Sequence, residues 1–181
     1  MACTLDKFDN FFNAELQPLI MFLVRAGYEL EESRDAAAEA MFCAYQGWIE
    51  IQYPKAYVRT VAQRVAGRQN QRDKERVLRS VRGGFVTLEQ ADPFPEIDAT
   101  LDSTKRLLAL LDVLPDKQRL VPAWHLDGFS NTEIAESLEM QVTTVASNLR
   151  HAKNRIRELL NTEERIRATA VSEGGAHHDA P

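Results

Sequence analysis

Apolar residues recur three or four positions apart through the first part of the chain, which is the spacing of a helix that buries one face. Pro18 falls within the first of these patterns and predicts a kink or a restart of the helix, while Gly27 suits the left-handed turn that ends many helices. The sequence therefore predicts an amphipathic helix that ends at Gly27. Its inward stripe consists of Phe8, Phe12, Leu16, Leu19, Ile20 and Leu23.

Two further helices are predicted before residue 83. The second runs from about Glu31 to Trp48, and a connector leads to Pro54. Proline suits the first turn of a helix because its missing N–H would have no partner there. The third helix therefore begins at Pro54 and continues beyond Gln71 with mostly polar residues. The inward positions of the two helices are Ala37, Met41, Ala44, Tyr45 and Trp48, then Tyr57, Val58, Val61, Ala62 and Val65.

The helical pattern stops between residues 83 and 100. Gly83-Gly84 breaks the third helix, and Asp92-Pro93-Phe94-Pro95-Glu96 contains two prolines in an acidic stretch. Such a segment is typical of a semi-extended linker. We therefore predict an all-α protein with two small helical domains, at 1–82 and 101–161, joined by an acidic linker at 83–100 and followed by a disordered tail at 162–181.

A helix-turn-helix is predicted in the second domain. Ser130 can cap a helix, and Glu133, three residues later, can accept a hydrogen bond from the backbone of the cap. The short turn Glu139-Met140-Gln141 leads to a second helix, with Val145 on its inward side. Glu139 takes a position that favours glycine, because the backbone there is often left-handed. In this motif the first helix supports the second, whose N-terminal half enters the major groove of DNA.

The outward side of that second helix carries the candidate contacts to duplex DNA. Asn148 and Arg150 can reach base edges, and Lys153 and Arg155 are placed for phosphates. A helical hairpin with no role in DNA binding would show the same apolar pattern, so that alternative stays open here. The candidate residues are Thr143, Thr144, Ser147, Asn148, Arg150, His151, Lys153 and Arg155.

Positive charge is concentrated on the third predicted helix although the whole chain has a net charge of −5. Arg64, Arg68 and Arg72 stand four residues apart and form a stripe that could neutralise several phosphates. A solvated helix face is the simpler explanation of an arginine stripe, but anions are scarce here. Between residues 55 and 82 the cations are Lys55, Arg59, Arg64, Arg68, Arg72, Lys74, Arg76, Arg79 and Arg82, opposed by Asp73 and Glu75.

Composition and motifs exclude several classes of protein. The apolar runs are too short to cross a bilayer, and the N-terminus lacks the pattern of a secretion signal, so a cytoplasmic location is expected. Cys3 and Cys43 have neither a disulfide framework nor zinc-ligand spacing. A glycine-rich phosphate loop, a metal-ligand cluster and a nucleophile motif are all missing from the sequence. We therefore expect a protein that is not an enzyme and has no cofactor.

Several blocks of sequence together resemble the extracytoplasmic-function subfamily of bacterial sigma-70-type RNA polymerase sigma factors. In the C-terminal half these are the segments 114–119, LPDKQR; 128–135, GFSNTEIA; and 144–153, TVASNLRHAK. In the N-terminal half they are 35–42, DAAAEAMF, and 54–62, PKAYVRTVA. The resemblance covers about residues 8–160 and depends on the order and spacing of the blocks.

The resemblance implies a role for each domain. The first domain, sigma region 2, would bind the β′ clamp of core RNA polymerase through Asp35 and Glu39, and would hold the melted minus-ten element. The second domain, sigma region 4, would bind the minus-thirty-five element with its helix-turn-helix and contact the β flap. An anti-sigma factor is a further possible partner, since many relatives have one. The implied minus-ten residues are Trp48, Arg59, Gln63, Arg64, Arg68 and Arg72.

Two other functions remain open at the level of sequence. A regulator with a signal-sensing N-terminal domain would share the helix-turn-helix, but it would not need an acidic helix followed by an arginine stripe. A degenerate sigma-like module could bind polymerase without opening promoters. Ala146, Asn148 and His151 stand where the family usually has basic residues, so the recognition helix is less cationic than is typical.

Overall fold

The structure, a computed structural model, describes residues 2–82 and 101–174, and these form seven α-helices and no strand. The predicted all-α fold is therefore confirmed. The predicted linker at 83–100 lies outside the described residues. The N-terminal domain contains α1 (Ala2–Arg25), α2 (Leu30–Gln46) and α3 (Pro54–Arg82), and the C-terminal domain contains α4 (Leu101–Asp112), α5 (Asp116–Leu126), α6 (Asn131–Ser137) and α7 (Val142–Gly174).

Small side chains bring the three N-terminal helices close together. Ala36, Ala40 and Ala44 lie on one face of α2 and are fully buried, as is Ala62 on α3. Because the distance between packed helices depends on the side chains at the contact, alanines allow the two backbones to approach closely. The interface between α2 and α3 is accordingly the broadest in the described part of the chain.

The predicted end of α1 at Gly27 is confirmed, whereas Pro18 does not restart the helix. Gly27 has φ +96, and the N–H of Tyr28 donates to the carbonyl oxygen of Leu23 at 3.2 Å, which closes the helix in a left-handed turn. Pro18 lies inside α1, and the helix continues through it from Ala2 to Arg25. Proline therefore does not divide this helix, because the buried stripe on both sides of it packs on the same core.

The C-terminal domain is built around α7. The helices α4, α5 and α6 all contact it, and the buried residues Leu111, Leu114 and Ala152 join α4 and its following turn to α7. Pro115 stands at the N-cap of α5, and Gly128, with φ +93, follows the end of that helix. Pro122 lies inside α5 without ending it.

One boundary predicted from sequence differs in the structure. The disordered tail was expected from residue 162, but α7 continues to Gly174, so residues 162–174 are helical. The segment is rich in glutamate, arginine and alanine, which favour helix, and the hydroxyl of Thr162 donates to the carbonyl oxygen of Glu158 at 2.8 Å. Residues 175–181 lie outside the described residues.

The two domains share one hydrophobic core, which the sequence did not indicate. Phe22 of α1 and Trp124 of α5 are both fully buried, and their rings meet edge to face with centroids 5.3 Å apart. Aromatic pairs of this geometry stabilise a contact beyond the area that they bury. Arg119 of α5 also lies against Gly27, where its Cδ would be 3.0 Å from an added Cβ. The end of α1 is therefore the surface on which the C-terminal domain packs.

Candidate nucleic-acid and polymerase interfaces

The helix-turn-helix begins with the predicted capping box. The side chain of Ser130 accepts a hydrogen bond from the backbone N–H of Glu133 at 3.3 Å, and the backbone N–H of Ser130 donates to the Glu133 carboxylate at 2.8 Å. The Ser130 hydroxyl also donates to that carboxylate, at 2.6 Å. These hydrogen bonds favour the ionised form, so they hold the pKa of Glu133 below its ordinary value.

The turn between α6 and α7 contains the strained residue that the sequence predicted. Glu139 has φ +53, the one positive value among the described residues other than glycine. The N–H of Met140 donates to the carbonyl oxygen of Ala135 at 2.9 Å and closes the turn. Ile134 and Val145 are both fully buried on the two sides of this turn. The packing of their side chains therefore fixes the position of α7 relative to α6.

The recognition face of α7 is open to solvent. Val145, Leu149 and Ala152 form the inward stripe, and the candidate DNA contacts lie between and opposite them. Ser147 and Asn148 are half-buried, while the other candidates, Thr143, Thr144, Arg150, His151, Lys153 and Arg155, are exposed. The structure therefore brings together on one accessible helix all the residues predicted to contact a duplex.

The start of α3, in contrast, faces the C-terminal domain. Arg59 is fully buried, forms an ion pair with Glu15 at 2.7 Å, and donates through Nε to the carboxylate of Asp127. Gln63, one turn later, accepts a hydrogen bond from the indole N–H of Trp124 at 3.3 Å. Two candidates for minus-ten binding, Arg59 and Gln63, therefore contact the C-terminal domain.

The remaining minus-ten candidates have different surroundings. Arg64 is 63% exposed and pairs with Glu139 at 3.3 Å, and Arg68 is exposed. Arg72 lies on α3, but its side chain is outside the described residues. Trp48 packs within the N-terminal domain, with its ring 5.2 Å from that of Phe8. The arginine stripe thus begins in the domain interface and continues onto the surface.

The predicted polymerase contacts lie on an exposed face of α2. Asp35 and Glu39 are both exposed and one helical turn apart. Beside them α1 and α2 form an open apolar groove of about 290 Å³, in which Phe42 and Tyr45 are at least half exposed. A groove with apolar walls next to carboxylates suits a partner helix that carries both apolar and basic side chains. The groove is lined by Phe8, Phe12, Leu16, Ala38, Met41, Phe42 and Tyr45.

Comparison with known proteins agrees with this geometry. Residues 104–156, which include α5, α6 and the first half of α7, match the family model of sigma-70 region 4. These residues of the chain are thus similar to sigma-70 region 4. Among curated protein sequences, none gives a significant match.

The fold of the chain is similar to that of a solved sigma factor. The sigma factor RpoE from Bartonella quintana, in its co-crystal structure with the anti-sigma factor NepR, matches with a TM-score of 0.67 and 22% sequence identity. The match covers 86% of this chain and 97% of that chain. The predicted resemblance to sigma factors is thus supported by the match to sigma-70 region 4 over residues 104–156, and the fold is similar to that of a solved sigma factor.

Sequence reasoning missed the residues that join region 4 to the N-terminal domain. Asp127, Trp124 and Glu15 were not among the residues predicted from sequence. Arg59 and Asp127 are separated by 68 positions. The spacing of nearby residues cannot indicate such a distant pair. The one hint in the sequence was the carboxylate of Asp127 at the end of α5.

The described residues contain neither a metal-ligand cluster nor a candidate membrane span. Within residues 2–82 and 101–174, three or more His, Cys, Asp or Glu side chains never cluster in a way that could hold a metal ion. Over the same residues, each helix is too short or too polar to span a bilayer.

Proposed function

We propose that this protein is a sigma factor of the extracytoplasmic-function type, which directs core RNA polymerase to specific promoters and aids promoter melting without catalysis of its own. The observation that carries the proposal is the helix-turn-helix that matches sigma-70 region 4, with a capped support helix and eight candidate DNA contacts on α7. Supporting it, the fold matches that of a sigma factor over most of both chains.

Each domain has its own part in the proposed function. Region 4 binds the minus-thirty-five element as duplex DNA, with Asn148 and Arg150 toward the bases and Lys153 toward the phosphates. The first half of α3 binds the melted minus-ten strand through its cations. The acidic and apolar face of α2 binds the β′ clamp, and this activity places the protein in the cytoplasm with polymerase.

The direct test is run-off transcription with purified core RNA polymerase and this protein on a promoter library. Transcripts that require the protein and begin downstream of a shared two-part motif are expected. Polymerase binding without such transcripts would favour a degenerate polymerase-binding module. A protein that failed to bind polymerase would be a separate DNA-binding regulator, and the proposal would be wrong.

Two sets of variants divide the function between the domains. Asp35→Asn with Glu39→Gln should weaken binding to core polymerase on the order of tenfold, because two rim charges are lost. Glu31→Gln is the matched control, since Glu31 is an exposed carboxylate on the same helix.

Arg150→Ala should weaken promoter binding roughly tenfold or more and leave polymerase binding unchanged. Arg34→Ala, which removes an exposed cation from α2, should not affect promoter binding.

A further inference from the structure

The guanidinium of Arg59 is held on two sides by residues of its own domain. Its Nη2 lies 2.7 Å from a carboxylate oxygen of Glu15 on α1, and its Nη1 donates to the carbonyl oxygen of Lys55, one turn earlier on α3, at 3.3 Å. The third nitrogen, Nε, points away from α1 and donates to the carboxylate of Asp127. Because the guanidinium is planar and rigid, contacts at two of its nitrogens fix the direction of the third.

The contact between Glu15 and Arg59 is shielded from water. The side chain of Arg59 is completely buried, and that of Glu15 is 21% exposed. The facing atoms, Oε2 of Glu15 and Nη2 of Arg59, are buried and form no hydrogen bond with any other group that the structure describes. Solvent screens such a charge pair little, so the carboxylate of Glu15 should restrain the guanidinium strongly.

We propose that Glu15 is a positioning residue for recognition of the minus-ten element, which holds Arg59 so that its Nε is directed at a phosphate of the melted promoter strand. Glu15 itself does not contact DNA and acts through Arg59. Both residues belong to the N-terminal domain, so the restraint is a property of that domain alone. The inference rests on the proposed function in one respect, which is that α3 binds the melted strand.

The direction of one arginine can affect how bases are read. A contact to a phosphate fixes the register of a strand, whereas contacts to the bases provide sequence specificity. Arg64 and Arg68, both exposed on the following turns of α3, are the candidates whose base contacts depend on that register. Loss of the restraint on Arg59 should therefore weaken binding to the correct sequence more than binding to other sequences.

Two simpler roles of Glu15 predict different results. If Glu15 acted only through its negative charge, its neutralisation would strengthen binding to every DNA strand, because a repulsion of phosphates would be lost. If it only stabilised the packing of α1 on α3, a variant that still folds would keep its sequence preference. The quantity that separates the three roles is the ratio of the affinities for the minus-ten strand and for a scrambled strand.

The experiment uses the full-length chain assembled with core RNA polymerase. The probes are two fluorescein-labelled single-stranded oligonucleotides: the non-template strand of the minus-ten element that run-off selection recovers, and the same bases in scrambled order. Glu15→Gln removes the charge and keeps the size of the side chain. Asp9→Asn is the matched control, because Asp9 is an exposed carboxylate on the same helix. Circular dichroism checks the helix content of each variant.

We expect Glu15→Gln to lower the affinity ratio about fivefold, a coupling typical of residues in contact. Asp9→Asn should leave the ratio unchanged. Arg59→Gln should also lower the ratio, and adding Glu15→Gln to it should lower the ratio no further, because Glu15 then has no guanidinium to hold. If Glu15→Gln loses helix content, Glu15→Asp replaces it. That variant keeps the charge at a shorter reach, so a smaller fall in the ratio is expected.

Each other result contradicts the inference in a distinguishable way. An unchanged ratio in a folded Glu15→Gln variant means that Glu15 does not position a contact that matters for specificity. An equal gain of affinity for both strands means that it acts only through its charge. A further fall in the double variant means that it acts apart from Arg59. Failure of the proposed function is separate, because the unaltered chain would then yield no minus-ten element in the run-off selection.

Discussion

At the scale of single residues, the turn of the helix-turn-helix depends on two glutamates with opposite roles. Glu133 completes the cap of α6 through hydrogen bonds to Ser130, whereas Glu139 ends the same short helix in a left-handed conformation that its side chain disfavours. A seven-residue helix has few internal hydrogen bonds, so its two ends determine much of its stability. Substitutions at these ends should therefore have measurable and opposite effects.

Glu139→Gly should stabilise the protein by roughly 0.5–1 kcal/mol. Glycine adopts positive φ without strain, and the exposed pair with Arg64 that is lost contributes little. The measurement is the free energy of unfolding from urea titration. Glu136→Gly is the control, since Glu136 lies within α6, where glycine should destabilise by about 0.5–1 kcal/mol. Destabilisation by both substitutions would contradict the argument.

The capping box should make the stability of α6 depend on pH. The pKa of Glu133 is lowered by its hydrogen bonds to the Ser130 side chain and backbone. A lowered pKa means that its contribution is present above the pKa of the unfolded chain and is lost as pH falls through the folded value. Carboxyl NMR titration should therefore show Glu133 titrating below an ordinary glutamate.

Ser130→Ala tests the cause of that shift. It removes the side-chain hydrogen bond and keeps the backbone one, so the pKa of Glu133 should return part of the way to its ordinary value. The same variant should lower the free energy of unfolding by about 1 kcal/mol, the usual contribution of an N-cap. An unchanged titration in Ser130→Ala would show that the hydroxyl does not cause the shift.

At the scale of elements, α7 has two faces with different tolerance of substitution. Val145 is fully buried against α6, whereas Val142, at the start of the same helix, is 44% exposed. The inward face determines where the recognition helix lies, and the outward face carries the candidate DNA contacts. Loss of packing on the inward face should therefore displace the candidate DNA contacts on the outward face, although the inward residues do not themselves contact DNA.

Val145→Ala should destabilise the protein by roughly 1–3 kcal/mol, because it removes buried methyl groups and leaves a cavity. Val142→Ala, the same chemical change at an exposed position of the helix, should alter the free energy of unfolding by less than about 0.5 kcal/mol. Urea unfolding measures both. Equal effects of the two substitutions would mean that α7 is not held by this face.

At the scale of the whole molecule, the shared core couples the two domains. Phe22 and Trp124 are fully buried in one continuous cluster that includes residues of α1, α3, α5 and α7. Elements that share a core are expected to unfold together. The helical signal and the emission of Trp124, measured with Trp48→Phe so that Trp124 is the single tryptophan, should therefore follow the same transition.

Phe22→Ala should uncouple the domains. It removes a large ring from the interface, at a cost of about 3–5 kcal/mol where the site cannot collapse. Trp124 should then become exposed at lower denaturant concentration than the loss of helix in the N-terminal domain. Phe42→Ala, at a ring that is 59% exposed, is the control and should leave the two transitions coincident. A single coincident transition in Phe22→Ala would show that the domains are joined by other contacts.

The sequence alone determined the features of this protein that depend on neighbouring residues. The capping box at Ser130, the left-handed turns at Gly27 and Glu139 and the start of the third helix at Pro54 all follow from interactions within about four positions. The order and spacing of five sequence blocks along the chain indicated a resemblance to sigma factors. The end of α7 was missed, because a helix without a strong apolar stripe resembles a polar tail in sequence.

Only the tertiary structure decided what the cations of α3 contact. An arginine stripe has the same sequence pattern whether it faces water, a phosphate or a carboxylate of another domain. Arg59 contacts Asp127, and Gln63 contacts Trp124, because α5 packs on the end of α1 and brings distant residues together. That packing depends on shape and burial across the whole molecule. The physical reason is that local spacing fixes which side of a helix a residue lies on, whereas the partner on that side is chosen by the fold.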